Sequence, residues 1–238
     1  MKMKKILTFL CLLALISLTA CSKTNVSDAK NGEIQKMTGA DLNKIMEDDK
    51  EKENYLVIDV RSQKEYDEGH VKHAININVD ELEANLSKID DLKDKNVVTI
   101  CNTGKKSQKA AEILVKNGFT KVYNAEGVKE FNYTTITKVT SIRGKEFAQI
   151  VANSKDNLQI IDAREEKDFT AGHINNAFNA NADTISSVST ISKDKEVYTY
   201  CYSGNRSYKV ADKLSKSGFK TINVLDGTKE YSNYTLVK

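Results

Sequence analysis

The chain states one pattern twice. Asp59-Val60-Arg61, Glu65-Tyr66, Gly69-His70 and Ala74 return as Asp162-Ala163-Arg164, Asp168-Phe169, Gly172-His173 and Ala177, an offset of 103 residues counted from Asp59 to Asp162. Cys101-Asn102-Thr103-Gly104-Lys105-Lys106-Ser107 returns as Cys201-Tyr202-Ser203-Gly204-Asn205-Arg206-Ser207, at an offset of 100 counted from Cys101 to Cys201. Gly118-Phe119 and Gly127 return at that second offset as Gly218-Phe219 and Gly227. A unit of this length is too long for one turn of a solenoid and long enough to fold alone. The chain therefore reads as two copies of a whole domain, with three residues lost between the two landmarks in the second copy. In each copy a lone cysteine ends an apolar run and opens a loop containing glycine.

Each copy alternates strand-like and helix-like segments. Thr38 to Asp41 has the form of a helix-capping box, followed by Leu42, Ile45 and Met46 on one helical face. Tyr55–Ile58 and Val97–Ile100 are short apolar runs that read as buried strands, the second delivering Cys101. Leu82, Leu86 and Ile89 predict a helix over Asp80–Ile89. Ala110, Ala111, Leu114 and Val115 predict another over Ser107–Lys116, stopped by Asn117-Gly118. Lys121–Asn124 closes the set. The second copy repeats the order with a helix over Phe147–Ala152, strands over Leu158–Ile161 and Glu196–Tyr200, a helix over Ser207–Lys216 and a strand over Thr221–Val224. This alternation predicts an α/β class, with a mostly parallel sheet in each copy and helices on both of its faces. Ligands of such sheets bind at the C-terminal strand ends, where both cysteines lie. The chain has no proline, so its turns rest on Gly, Asn, Asp and Ser.

The first twenty residues stand apart. Lys2, Lys4 and Lys5 precede an apolar stretch from Ile6 to Leu18, too short for a comfortable membrane span and suited to a signal peptide. The stretch ends in Leu18-Thr19-Ala20-Cys21, which resembles the lipobox of bacterial lipoproteins. That resemblance implies cleavage before Cys21, a diacylglycerol on its sulfur and a lipid bilayer as partner; an ordinary secretory signal cut after Ala20 is the plainer alternative. The expected division is a signal over 1–20, a flexible tether over 21–34, and domains over 35–136 and 137–238, held outside the cytoplasm. Removing the three lysines of the signal brings Lys and Arg from 36 to 33, against 33 acidic residues, and no basic run marks a nucleic-acid partner.

Of four cysteines, Cys11 leaves with the signal and Cys21 carries lipid, leaving Cys101 and Cys201. An exported chain with two such thiols invites a disulfide. Their setting, each between a strand and a helix, argues instead for two separate loops. A short turn from strand into helix gathers backbone N–H groups into an anion-binding nest, and the helix start adds its positive end. Such a nest favours the nucleophilic thiolate and stabilises an anion attached to it. Gly104 and Gly204 stand where the turn needs a positive φ or a close approach of the backbone. Ser203 and Ser207 complete the second loop, and Lys106 and Arg206 place charge near each mouth.

With these residues in view, the chain resembles the rhodanese superfamily, and within it the tandem two-domain sulfurtransferases. The resemblance spans residues 36–236 and rests on the D-x-R, acid-aromatic, G-H-apolar and C-x-x-G-x-[KR]-S strings taken together. It implies that Cys201 and Cys101 accept a sulfane sulfur from a small-molecule donor such as thiosulfate, and that the persulfide passes it to cyanide or a thiol. No metal or organic cofactor is implied. Catalytic thiols outside the cytoplasm would call on a reducing partner. Arg206 matches the family's arginine, a fixed fork able to hold an oxyanion, whereas Lys106 is a mobile point charge. The second site is therefore expected to be the stronger, with Tyr200 and Tyr202 walling its pocket. Asp59, Arg61, Asp162 and Arg164 read as a strand-end frame, and His70 and His173 as partners of buried backbone groups. Two alternatives remain: a non-catalytic module carrying sulfur or a protein partner, and a phosphatase or arsenate reductase. The latter needs C-x5-R, and Cys201 to Arg206 is one residue shorter.

Overall fold

A computed structural model of the protein describes residues 32–154, 158–187 and 190–238. The expected signal peptide, Cys21 and most of the expected tether lie outside the described residues. Domain 1 runs through β1 (Ile34–Met37), α1 (Gly39–Glu47), β2 (Tyr55–Asp59), α2 (Gln63–Glu68), β3 (His70–Val71), β4 (Ile75–Asn76), β5 (Asn96–Ile100), α3 (Lys105–Lys116), β6 (Lys121–Ala125) and β7 (Ile136–Thr137). Domain 2 follows with β8 (Thr140–Ile142), α4 (Gly144–Asn153), β9 (Gln159–Asp162), α5 (Glu166–Ala171), β10 (His173–Ile174), β11 (Ala177–Asn179), β12 (Val197–Tyr200), α6 (Asn205–Lys216), β13 (Thr221–Val224) and β14 (Leu236–Val237).

Each domain has a five-stranded parallel sheet in one order, β4-β2-β5-β6-β1 in the first and β11-β9-β12-β13-β8 in the second. Consecutive strand residues alternate between faces. On β5, Val97 and the following Cys101 pack with Ala110, Ala111 and Leu114 of α3. Val98 and Ile100 pack on the other face with Leu42, Ile45 and Met46 of α1. Domain 2 repeats this split, with Cys201, Val210 and Leu214 on one face and Tyr198, Tyr200 and Phe147 on the other. Thr38 caps α1 as predicted, its hydroxyl accepting from the Asp41 N–H.

The helix predicted over Asp80–Ile89 does not form. The segment holds two short 3-10 stretches, Glu83–Lys88 and Asp90–Leu92, divided at Ile89 with φ −133°. Asn78 takes the Asp80 N–H with its side chain and the Glu81 N–H with its carbonyl, and the Asn85 amide claims the Glu81 carbonyl. These local bonds compete with an α-helical ladder, and burial of Leu82 and Ile89 settles the spacing. Helices α2 and α5, of six residues each, are too short to have shown a periodicity. The expected tether gives up Ile34 to β1, where it pairs with Val122.

The two domains dock through unlike faces. Arg143 of domain 2, 5 % exposed, reaches Asp91 of domain 1 at 2.9 Å while also pairing with Asp226. The Tyr66 hydroxyl accepts from the Ser141 N–H at 3.1 Å, and the His73 ring packs on Tyr208 of α6. Between Asn124 and Glu126 lies one residue, Ala125; between their counterparts Asn223 and Asp226 lie two, Val224 and Leu225. The extra residue, Leu225, packs into the core of domain 1.

Candidate active site

Both cysteines sit at the C-terminal ends of central strands and are almost fully buried, Cys101 at 2 % and Cys201 at 1 % exposure. Neither is in a disulfide. Each strand ends one residue before the thiol, and the chain then turns into α3 or α6 through Gly104 (φ 73°) or Gly204 (φ 78°). This left-handed position is the one that the loop demanded of a glycine. It differs between copies in its surroundings. A Cβ on Gly204 would lie 2.8 Å from the Leu225 carbonyl oxygen, whereas on Gly104 the nearest atom is 4.0 Å away.

At the helix start, the Ser107 N–H points to Cys101 Sγ at 3.4 Å, and the Ser107 hydroxyl lies 3.3 Å from the same sulfur. The Ser207 hydroxyl stands 3.4 Å from Cys201 Sγ. Each serine donates to an asparagine of the neighbouring strand, Ser107 to Asn124 at 2.6 Å and Ser207 to Asn223 at 2.7 Å. Each asparagine amide donates back to the loop glycine's carbonyl, at 3.1 and 3.2 Å. The serines are thus held in register by a hydrogen-bond relay from serine to asparagine to the glycine carbonyl. On the other side, Val128 and Lys129 donate to the carbonyls of Cys101 and Asn102, and Thr228 and Lys229 to those of Cys201 and Tyr202. That grip needs Gly127 and Gly227: a Cβ there would stand 2.1 and 2.2 Å from the Asn102 and Cys201 carbonyl oxygens. These carbonyls are taken up on the outer side, and in the first loop the Ser107 N–H turns to the sulfur.

The frame residues fall as expected. Arg61 grips both oxygens of Asp59, the closest approach 2.6 Å, and donates to the Gly69 carbonyl; Arg164 does the same with Asp162 and Gly172. These pairs are nearly buried and tie the strand end to the turn after the next helix. Burial works against each arginine's charge, but the paired aspartate outweighs it, and both guanidiniums sit above their usual pKa. His70 bridges the carbonyls of Tyr66 and Val139, and His173 meets that of Phe169. Each is stacked on the aromatic ring four residues earlier.

Two expectations fail. Tyr200 does not wall the Cys201 pocket: adjacent strand residues face opposite ways, and its hydroxyl donates to Asp162 at 2.5 Å on the far face. Arg206 does not turn into the cradle. It is half exposed, pairs with Glu165 at 2.5 Å and lies over the Tyr202 ring. Tyr202 in turn donates to Asp168. In domain 1 the matching contact runs from Asn102 to Glu65 at 2.7 Å, and bonds from Ser62 and then Asn102 pull the Glu65 carboxyl down to about 2. Lys106 is exposed.

Sequence reasoning missed Asn124 and Asn223, although each lies one residue before the end of its strand, β6 or β13; a local offset of 99 hid the match. It also missed Lys52. This lysine lies between α1 and β2 of domain 1, is 5 % exposed and donates to the Ser203 carbonyl of the Cys201 loop at 2.6 Å.

A model for the Rhodanese-like domain matches residues 38–132 and again 145–232. A thiosulfate sulfurtransferase of Escherichia coli strain K12, PspE, is 40 % identical over 73 residues, which is 31 % of this chain and 70 % of that protein. A tRNA uridine(34) hydroxylase of Photorhabdus laumondii is 37 % identical over 76 residues, 30 % of this chain. The chain spans 21–26 % of the length of the first such hydroxylases it matches. Among solved structures, a rhodanese with anions from E. coli is 36 % identical with a TM-score of 0.33, covering 35 % of this chain and 98 % of that one.

Proposed function

Since the chain belongs to the rhodanese family, with two copies of the domain in tandem, we propose that it is a sulfurtransferase working through cysteine persulfides at Cys201 and Cys101. The observation that carries this reading is the setting of the two thiols. Each is buried at a strand end, beside a serine held in place, inside a loop whose outer carbonyls are engaged. Such a site suits a one-atom anionic extension of a cysteine. In the reaction, the thiolate attacks the outer sulfur of thiosulfate. A sulfur–sulfur bond forms at the cysteine, and the electron pair of the broken bond leaves with sulfite. Cyanide or an acceptor thiolate then takes the terminal sulfur and the thiolate returns; with cyanide the product is thiocyanate. The loop is also one residue too short for the C-x5-R phosphate cradle, which argues against phosphatase or arsenate reductase chemistry.

The test is mass spectrometry of the purified chain after exposure to thiosulfate, with peptide mapping, followed by cyanide. One added sulfur on Cys201 or Cys101, lost to cyanide as thiocyanate, supports the reading. Two unmodified cysteines support the non-catalytic module instead.

Export and anchoring belong to the same proposal. The basic start, the apolar stretch and Leu18-Thr19-Ala20-Cys21 support a lipoprotein anchored through Cys21 to a bilayer, outside the cytoplasm. Cys21→Ala should move the protein out of the detergent phase; unchanged partitioning would refute the anchor. A reducing partner is part of this picture, because catalytic thiols outside the cytoplasm work in an oxidising surrounding.

A further inference from the structure

The Cys201 loop is held from behind by the other domain. Residues Asp49 to Glu53 of domain 1 lie along its outer side. The Asn205 amide donates to the Asp49 carbonyl at 2.7 Å and to Glu53 at 3.1 Å, Lys229 approaches Glu53 at 3.6 Å, and Lys52 donates to the Ser203 carbonyl. Burying an ammonium is costly, and its burial pushes the Lys52 pKa down, against the pull of Glu230, Glu53 and Cys201. A lysine kept there at that cost acts on what it touches, and its hydrogen bond goes to the loop's backbone. Among the described residues no such support reaches the first site. There Thr103, Gly104, Lys105 and Gln108 line an open groove of about 660 Å³.

We propose that Lys52 is a positioning residue for the Cys201 site, through which domain 1 completes the cradle of domain 2. This rests on reading Cys201 as a sulfur acceptor. In a trans peptide the carbonyl and the N–H of the next residue point opposite ways. Lys52 fixes the Ser203 carbonyl toward domain 1, so the Gly204 N–H is turned away from it. A cation on that carbonyl draws electron density along the peptide and makes the N–H a stronger donor to an anion held in the loop. The bond also fixes the plane of the peptide just before Gly204, whose left-handed turn starts α6. Cys101 works without this help.

The experiment compares the two thiols within one molecule. Wild type, Lys52→Met, Lys52→Arg and the double variant Lys52→Met/Glu230→Gln are treated with thiosulfate, and separately with iodoacetamide. The rate at each cysteine is read by peptide mass spectrometry, with the melting temperature measured alongside. Both Met-bearing variants should slow Cys201 about tenfold toward thiosulfate, the scale of one lost charge-assisted hydrogen bond, and should also slow its alkylation. Lys52→Arg, which can still donate, should recover most of the rate. Cys101 should be unchanged throughout. The double variant removes the carboxylate that Lys52 offsets, so it covers the case in which Lys52→Met alone does not fold. A Cys201 rate within about twofold of wild type, or equal slowing of both cysteines, overturns the proposal. Should thiosulfate load neither cysteine of the wild type, the sulfurtransferase reading fails, while the alkylation ratio still decides the role of Lys52.

Discussion

Arg206 and Glu165 close on each other at 2.5 Å across the mouth of the second site. The equivalent of Glu165 in domain 1 is Ser62, which caps α2 with its hydroxyl and leaves Lys106 with no such partner at that position. The guanidinium expected to receive a dianionic donor is therefore already neutralised by a carboxylate. Glu165→Ser should free it. The KM for thiosulfate at Cys201 should fall about threefold, in keeping with the modest strength of an exposed pair. Steady-state kinetics on a Cys101→Ser background measure this directly, and an unchanged KM would show that Arg206 takes no part in receiving the donor.

The two thiols should not contribute equally. Cys201 has an arginine at its mouth and domain 1 behind its loop, and among the described residues Cys101 has neither. Cys201→Ser should lower kcat/KM for thiosulfate about a hundredfold or more, since the nucleophile itself is removed, and Cys101→Ser about twofold or less. The reverse order would mean that the support behind Cys201 serves something other than turnover.

Glycine at the loop apex is needed more in the second copy than in the first. Alanine at either position must adopt a positive φ, a strain of about 1 kcal/mol. At Gly204 it also meets the Leu225 and Val224 carbonyls at 2.8 and 3.0 Å, adding about 1–3 kcal/mol of overpacking. Urea unfolding midpoints should therefore fall further for Gly204→Ala than for Gly104→Ala. Equal shifts would show that the loop yields at the interface.

How much of this was legible beforehand follows from what each residue does locally. The cysteine loops, their glycines, the Asp-Arg frames and the parallel sheets all leave marks within a few residues of sequence, and the duplication printed those marks twice. The Asp80–Ile89 segment misled because Leu82, Leu86 and Ile89 carry helical spacing, while Asn78 and Asn85 spend their side chains on the backbone. Arg206 misled because its partner Glu165 lies 41 residues away and has a serine for a counterpart. Lys52 left no mark at all. Its neighbours are charged and polar, and its burial is created by the other domain.

His73 should make the folded chain acid-sensitive. Its ring is buried with neither nitrogen hydrogen-bonded, and burial, with Lys52 and Lys72 nearby, holds its pKa well below 6.5. Above pH 6.5 the imidazole is neutral folded or unfolded. Below it the unfolded chain binds a proton that the folded chain refuses, so stability falls as pH drops, by up to about 1.4 kcal/mol per pH unit. The backbone there has φ 66°, and the matching residue of domain 2, Asn176, has φ 62°. His73→Asn is thus compatible with the turn. It should lose less melting temperature than wild type between pH about 7.5 and about 5.5. Parallel curves for the two proteins would place the acid sensitivity elsewhere, His70 being the next candidate.

A duplicated domain whose halves meet by unlike faces is, in principle, an open-ended array. On the matching face of domain 1, Thr103, Gly104, Ala125 and Glu126 line an open groove, and unlike-face contacts that do not close on themselves extend into filaments. Leu225 breaks the equivalence. It is the residue by which the second half is longer between Asn223 and Asp226, and it is the one that enters the core of the first. Domain 1 has only Ala125 between Asn124 and Glu126, and so no leucine at that place. One extra leucine thus makes the contact one-sided: it joins domain 2 to domain 1 and has no equivalent at the matching place in domain 1.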